Sequence, residues 1–234
     1  MPLTDLPSLA DRQTASDHVA DALRQAIVSG QFEDGEELNQ VELAQHFHVS
    51  RVPIREALRR LQAEGLVSAE AHRRATVIGL NRERGAEIFE IRALLECFML
   101  ERAAPHLTED DLKTLGDLCD AMDGVHRETE HAQWLELNRR FHHALLSPSG
   151  SPVAMTIVER LVGQVERYLR RSEGVHRAEE AGKEHRQILR ALKRGDVERA
   201  KDILSCHILS TWRRVSATLP SGLPAAVAGD GVRR

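Results

Sequence analysis

Of the twelve histidines in this chain of 234 residues, three stand apart inside helical stretches. His142 follows Asn138 by four residues, so on a helix the two side chains project from one face. His185 lies beside Glu184 in another helical stretch, and His207 is surrounded by Ile203, Leu204, Ile208 and Leu209. Helices of this kind can converge on one cavity of a bundle, where facing helices build metal sites. Spacing alone leaves a second reading open, three independently hydrogen-bonded core histidines, and that is the commoner outcome. Arg92 and Glu96, also four apart, read from spacing as a helix ion pair.

A second set of residues suits a different chemistry. Ser50, Arg51 and Arg55 open a helix, with Arg59 and Arg60 further along it. Arg51 and Arg55 share a face near the N-terminus, the end of a recognition helix that meets base edges in the major groove of double-stranded DNA. Arginine suits guanine there, because its fork reaches O6 and N7 together. Arg59 and Arg60 read either as phosphate contacts or as a solvated basic face.

The elements that must hold these side chains follow from local signals. Asn39 is an N-cap for a helix whose Val41, Leu43, Ala44 and Phe47 recur at helical spacing. His48-Val49 makes a turn, with Val49 buried between the two helices. Ser50 caps the next helix, and Pro53 stands in its first turn, where a missing N–H costs little. Ile54, Ala57, Leu58 and Leu61 form the buried stripe. Gly65 ends the helix. Residues 67–69 and 75–79 read as two short strands, with Arg73 and Arg74 at the hairpin tip between them, able to reach phosphate or the minor groove. A preceding helix over 16–29 buries Val19, Leu23, Ala26 and Ile27. The spacing thus predicts a winged helix-turn-helix domain over residues 14–80. Beyond a short linker, residues 84–217 read as an all-helical bundle of about six helices, and 218–234, rich in Pro, Gly and Ala, as a disordered tail. The fold class is mainly α.

The runs Leu38–Ala44, Val49–Leu58 and Leu61–Val67 resemble the GntR family of bacterial transcription regulators, and the helical half resembles the branch with an FCD effector domain. The resemblance spans roughly residues 16–215. It implies operator contacts from Ser50, Arg51 and Arg55. Arg74 occupies a wing-tip slot where the family usually has Gly, and Val41 stands where some members place a basic residue. The resemblance also implies a divalent metal, zinc or nickel, held by Asn138, His142, His185 and His207. Asn138 replaces the stronger carboxylate ligand of many members. Arg92 is then an effector-binding residue, and the effector a small organic acid. The function implied is a homodimeric regulator, with repression the commoner mode, that binds a short pseudo-palindromic operator.

Composition sets bounds on these readings. The net charge of −4 argues weakly against DNA binding over the whole chain, but six Arg against three Glu between His46 and Leu80 give a local balance of +3. Cys97, Cys119 and Cys206 are widely spaced and odd in number, as in a reducing cytoplasm. No run of ~18 apolar residues exists to span a membrane, so the expected location is cytoplasmic. The competing reading is a hydrolase in which the three histidines hold a metal that activates water. It leaves the helix-turn-helix unexplained, and no His-Glu-x-x-His motif is present.

Overall fold

The computed structural model describes residues 14–68, 74–126, 130–171 and 175–219. Arg73 and the tail beyond residue 219 lie outside the described residues. The chain divides into two compact units, Met1–Gly79 and Leu80–Arg234.

The first unit is built from α1 (Ala15–Ser29), β1 (Glu37–Leu38), α2 (Gln40–His46), α3 (Arg51–Ala63), β2 (Val67–Ser68) and β3 (Ala75–Val77). Thr14 and Asp17 close a capping box on α1, and Gly30 ends it in the left-handed region at φ 80°. Asn39 caps α2 by accepting from the Val41 N–H at 2.9 Å. The turn into α3 is made by His48, which takes a positive φ of 52°. Ile54, Ala57, Leu58 and Leu61 of α3 join Val19, Leu23 and Ile27 of α1 in one core. Arg24 on α1 ties to the end of α3, with Nε and Nη2 donating to both Glu64 oxygens at 2.7 and 2.6 Å. The wing is a three-stranded antiparallel sheet in the order β1-β3-β2, with Val67 opposite Val77 and Leu38 opposite Ala75. Val49, expected to be buried, is half-buried against this core, because the turn that carries it lies at the surface.

The second unit contains, among the described residues, six α-helices: α4 (Arg82–Ala103), α5 (Glu109–Asp123), α6 (His131–Leu146), α7 (Pro152–Arg171), α8 (Val175–Lys193) and α9 (Val197–Thr218). Short 3-10 turns at Ala104–His106 and Ser147–Ser149 each carry a proline that ends the preceding α-helix. Thr108 and Asp111 form the capping box of α5, and Asp196 caps α9 by accepting from the Arg199 N–H at 3.1 Å. Helix α4 carries apolar side chains on more than one face. Ile88, Phe89, Ala93, Met99 and Leu100 enter the core, while Ile91, Leu94 and Phe98 are exposed.

Close packing at the start of α4 yields a sharp prediction. Gly85 faces the Trp212 ring, which lies 5.3 Å from Phe89 and 5.6 Å from Tyr168 between ring centroids. A β-carbon at Gly85 would overlap that ring. Alanine gains about 1 kcal/mol in helix propensity, but overpacking costs about 1–3 kcal/mol, and a rigid ring held between two aromatics places the cost at the upper end. Gly85→Ala is therefore expected to lower the melting temperature in calorimetry. A rise would show that the ring repacks freely.

Candidate functional site

The arginines of the first unit separate into two groups. Arg60 pairs with Asp17, Arg24 with Glu64 and Asp21, and Arg74 with Glu37 of β1 at 2.5 Å. Arg51, Arg55 and Arg59 are exposed and form no ion pair among the described residues. At intervals of four they run along one face of α3. Ser50 has N-cap geometry but makes no side-chain capping bond, so its hydroxyl stays at the surface beside Arg51. Val52, in the same first turn, is 52% exposed. Next to it an open groove of about 510 Å³ is lined by Val41, Ala44, Gln45, His48, Val49 and Arg51. The sequence reading gave Val52 no role, because an exposed valine carries no periodic signal. It also left Arg74 free, whereas the structure pairs it with a strand too short to be foreseen.

In the second unit, α6, α8 and α9 bring His142, His185 and His207 together in the core. One ring nitrogen from each lies within 4.8 Å of the others. Two of the rings are oriented by carboxylates. His142 Nδ1 lies 2.8 Å from Glu96 Oε2, and His207 Nδ1 lies 2.6 Å from Glu184 Oε2. An ionised carboxylate only accepts, so each Nδ1 is the donor, and Nε2 is the nitrogen that each of these two rings can offer to a metal. His142 Nε2 and both ring nitrogens of His185 are buried without a hydrogen-bond partner. Burial holds the His142 pKa down to about 4 despite the neighbouring Glu96, and pushes that of His185 well below the ordinary histidine range. These rings are therefore neutral at pH 7, the form that binds a metal.

Glu96 is fully buried and shared. One oxygen accepts from Arg92 Nε and the other from His142. Burial pushes its carboxyl upward, but Arg92 and His142 outweigh this and hold it near 2. Buried polar atoms are almost always paired. The unpaired nitrogens of His142 and His185, with His207 offering a ring nitrogen within 4.8 Å of theirs, therefore mark a built site, and carboxylate-oriented imidazoles are the usual surroundings of a metal-binding histidine. The donor set fits a divalent ion that accepts nitrogen ligands.

A small enclosed cavity of about 10 Å³ adjoins this centre between α6 and α7. Its wall includes Arg92, Asn138, Arg139, His142 and Glu166 with apolar side chains of both helices. Asn138 thus lines the cavity beside His142, and the three imidazoles form the cluster itself.

Comparison with known proteins settles the class. Residues 15–78 match the family model described as bacterial regulatory proteins, gntR family, and residues 87–210 match the FCD domain. The HTH-type transcriptional regulator YdhC of Bacillus subtilis (strain 168) is 31% identical over 86% of this chain and 90% of its own length. The chain belongs to the GntR family, in its FCD branch. This GntR-family chain is also 41% identical to the gluconate operon transcriptional repressor of Bacillus subtilis (strain 168), over 44% of this chain and 42% of that protein. Its fold matches that of Escherichia coli McbR/YncC, with a TM-score of 0.74 at 24% identity, over 88% of this chain and 99% of that one. The GntR-family chain is a transcriptional regulator with an FCD domain, which sets aside the hydrolase alternative. No helix among the described residues is long and apolar enough to cross a membrane.

Proposed function

We propose that this chain is a homodimeric repressor that binds a pseudo-palindromic operator through Ser50, Arg51, Arg55 and Arg59. Its DNA affinity is set by a small carboxylate bound at a metal-loaded pocket. The observation that carries the reading is the buried cluster of His142, His185 and His207, with unpaired nitrogens, beside a cavity walled by Arg92. His142, His185 and His207 hold the ion, zinc or nickel, with the Asn138 amide as a weaker neutral donor. The bound metal supplies positive charge and open positions for a carboxylate. Arg92 supplies a second positive charge to the same anion. The repressor mode and the organic-acid class are also supported by the related gluconate operon repressor. Arg74 of the wing adds a phosphate contact, since an exposed pair such as Arg74–Glu37 is weak enough to be exchanged for a phosphate.

A second copy is supported by the apolar face of the second unit. Leu94 is 73% and Val153 75% exposed, with Ile91, Phe98 and Ile157 also exposed on α4 and α7. Large apolar side chains gathered at a surface mark a protein interaction site. Ligand binding acts as a population shift between states that fit two operator half-sites and states that do not. Helix α7 lines the cavity and also holds the start of α4, where the Tyr168 hydroxyl donates to the Asn81 carbonyl at 2.9 Å.

Selection from a random DNA pool at about 0.15 M salt, where phosphate attraction is screened, tests the DNA half. A two-fold-related motif is expected, and enrichment of nothing would overturn it. Zinc or nickel tests the pocket half. At a hundredfold excess over Kd, a ligand selective for the folded state adds about 2.7 kcal/mol of stability. Wild type is expected to show the corresponding rise in melting temperature, and His185→Ala to lose it. An equal rise in both would remove the metal from this cluster.

A further inference from the structure

Glu166 is the one acidic side chain that lines the cavity between α6 and α7. It is half-buried and forms no hydrogen bond or ion pair among the described residues. The other polar groups of that wall differ from it. The Arg92 guanidinium is held by Glu96, and Arg139 donates to both Glu136 oxygens at 2.8 and 2.7 Å. Burial raises the Glu166 carboxyl above its ordinary value, against the pull of Arg170 and Arg139. A carboxyl withdrawn from water without a donor is costly, and among the described residues no side chain of the wall donates to this one.

We infer that Glu166 selects the effector by accepting a hydrogen bond from a hydroxyl on it, so that the pocket takes small hydroxycarboxylates in preference to the corresponding plain acids. The inference rests on the metal-and-carboxylate reading of this pocket. In that reading the carboxylate end of the ligand faces the histidine centre and Arg92. The opposite wall is α7, whose lining residues other than Glu166 are Val162, Val165 and Leu169. These three cannot accept a hydrogen bond from their side chains, so a ligand hydroxyl reaching that wall has Glu166 as its acceptor. A hydroxyl is favoured over an ammonium because burying a charge costs more than burying a neutral donor, and Arg92 and Arg139 repel a cation. The closed cavity has room for about one water-sized group. A ligand therefore enters by parting α6 from α7, and small acids are favoured over large ones.

The test is titration calorimetry on the zinc-loaded full chain with matched probes: succinate against malate, propionate against lactate, and aspartate and alanine as the amino counterparts. In wild type the hydroxy acid is expected to bind at least tenfold more tightly than its parent. In Glu166→Leu that ratio falls towards one, and Glu166→Gln, whose amide oxygen still accepts, keeps most of it. A purely structural role for Glu166 would weaken all probes together and leave the ratio unchanged, which overturns the inference. Equal binding of parent and hydroxy acid to wild type overturns it too, while leaving the pocket reading intact. Tightest binding by the amino acids overturns the choice of hydroxyl. If no acid binds the zinc-loaded protein, the pocket reading fails and this inference falls with it.

Discussion

Replacing Arg51 and Arg55 together by alanine is expected to abolish specific operator binding while leaving the fold intact. Both side chains are exposed and unpaired among the described residues, so their removal breaks no contact of the folded chain. Each arginine that reads a guanine bidentately contributes about 1–3 kcal/mol of discrimination. Losing two in one half-site removes about 2–6 kcal/mol, or roughly 30-fold to 10⁴-fold in affinity. Two half-sites in a dimer place the result near the upper end. Arg60→Ala is the matched control. It removes the same charge from the same helix, but Arg60 is engaged with Asp17, on the side of α3 facing α1. Its effect on operator affinity is expected to stay within a few-fold. Fluorescence anisotropy with the selected operator and a scrambled duplex separates the outcomes. The double variant should bind both equally weakly. If it keeps its preference for the operator, α3 is not the element that reads the sequence.

Why this helix was legible in the sequence, and other parts were not, comes down to the range of the interactions that form them. Asn39, Pro53 and Gly65 act on the backbone within a turn of themselves, so their types and spacing place the ends of α2 and α3 directly. The six helices of the second unit follow from the same local signals, such as the Thr108 capping box and the Asp196 cap. Strand β1 has no such signal. Two residues, Glu37 and Leu38, are too few to show alternation, and their partners Thr76 and Ala75 lie far along the chain. The same limit applies to the arginines. Sequence position put Arg59, Arg60 and Arg74 on a par, yet Asp17 and Glu37, distant in the chain, engage only the last two.

The histidine centre was legible in one respect and hidden in another. Asn138, His142, His185 and His207 were named from a family resemblance, whereas spacing favoured three separate core histidines. What spacing could not express is the carboxylate behind each ring. Glu184 was visible only as a neighbour of His185, but the structure turns it to His207. Glu96 was visible only as a helix partner of Arg92, but its second oxygen holds a ring on α6. Glu166 gave no signal at all, since a single acid on a mixed helix face looks like any solvated residue.

Glu96 is for that reason the position at which one substitution should have the largest effect on the second unit. Glu96→Ala leaves the Arg92 guanidinium buried without its counter-charge and His142 Nδ1 without its acceptor. Breaking a buried pair from one side costs about 3–5 kcal/mol, a large part of the ~5–15 kcal/mol that holds a domain folded. Glu96→Gln keeps the shape and one acceptor oxygen, so it should retain the His142 contact and lose only the charge opposite Arg92. Loss of an outer partner typically costs 10–100-fold in metal affinity, so zinc affinity is expected to fall in the order wild type, Gln, Ala. Acidity offers an independent check on the metal-free protein. The folded-state pKa of Glu96 is depressed from 4.5 to about 2. Its contribution is therefore complete above 4.5 and is lost as the pH falls from there towards 2. Urea unfolding across that window should show the stability difference between wild type and Glu96→Ala shrinking as the pH drops. A constant difference would mean that the carboxyl matters for its packing, and the shared pair with Arg92 and His142 would not be what holds the histidine centre in place.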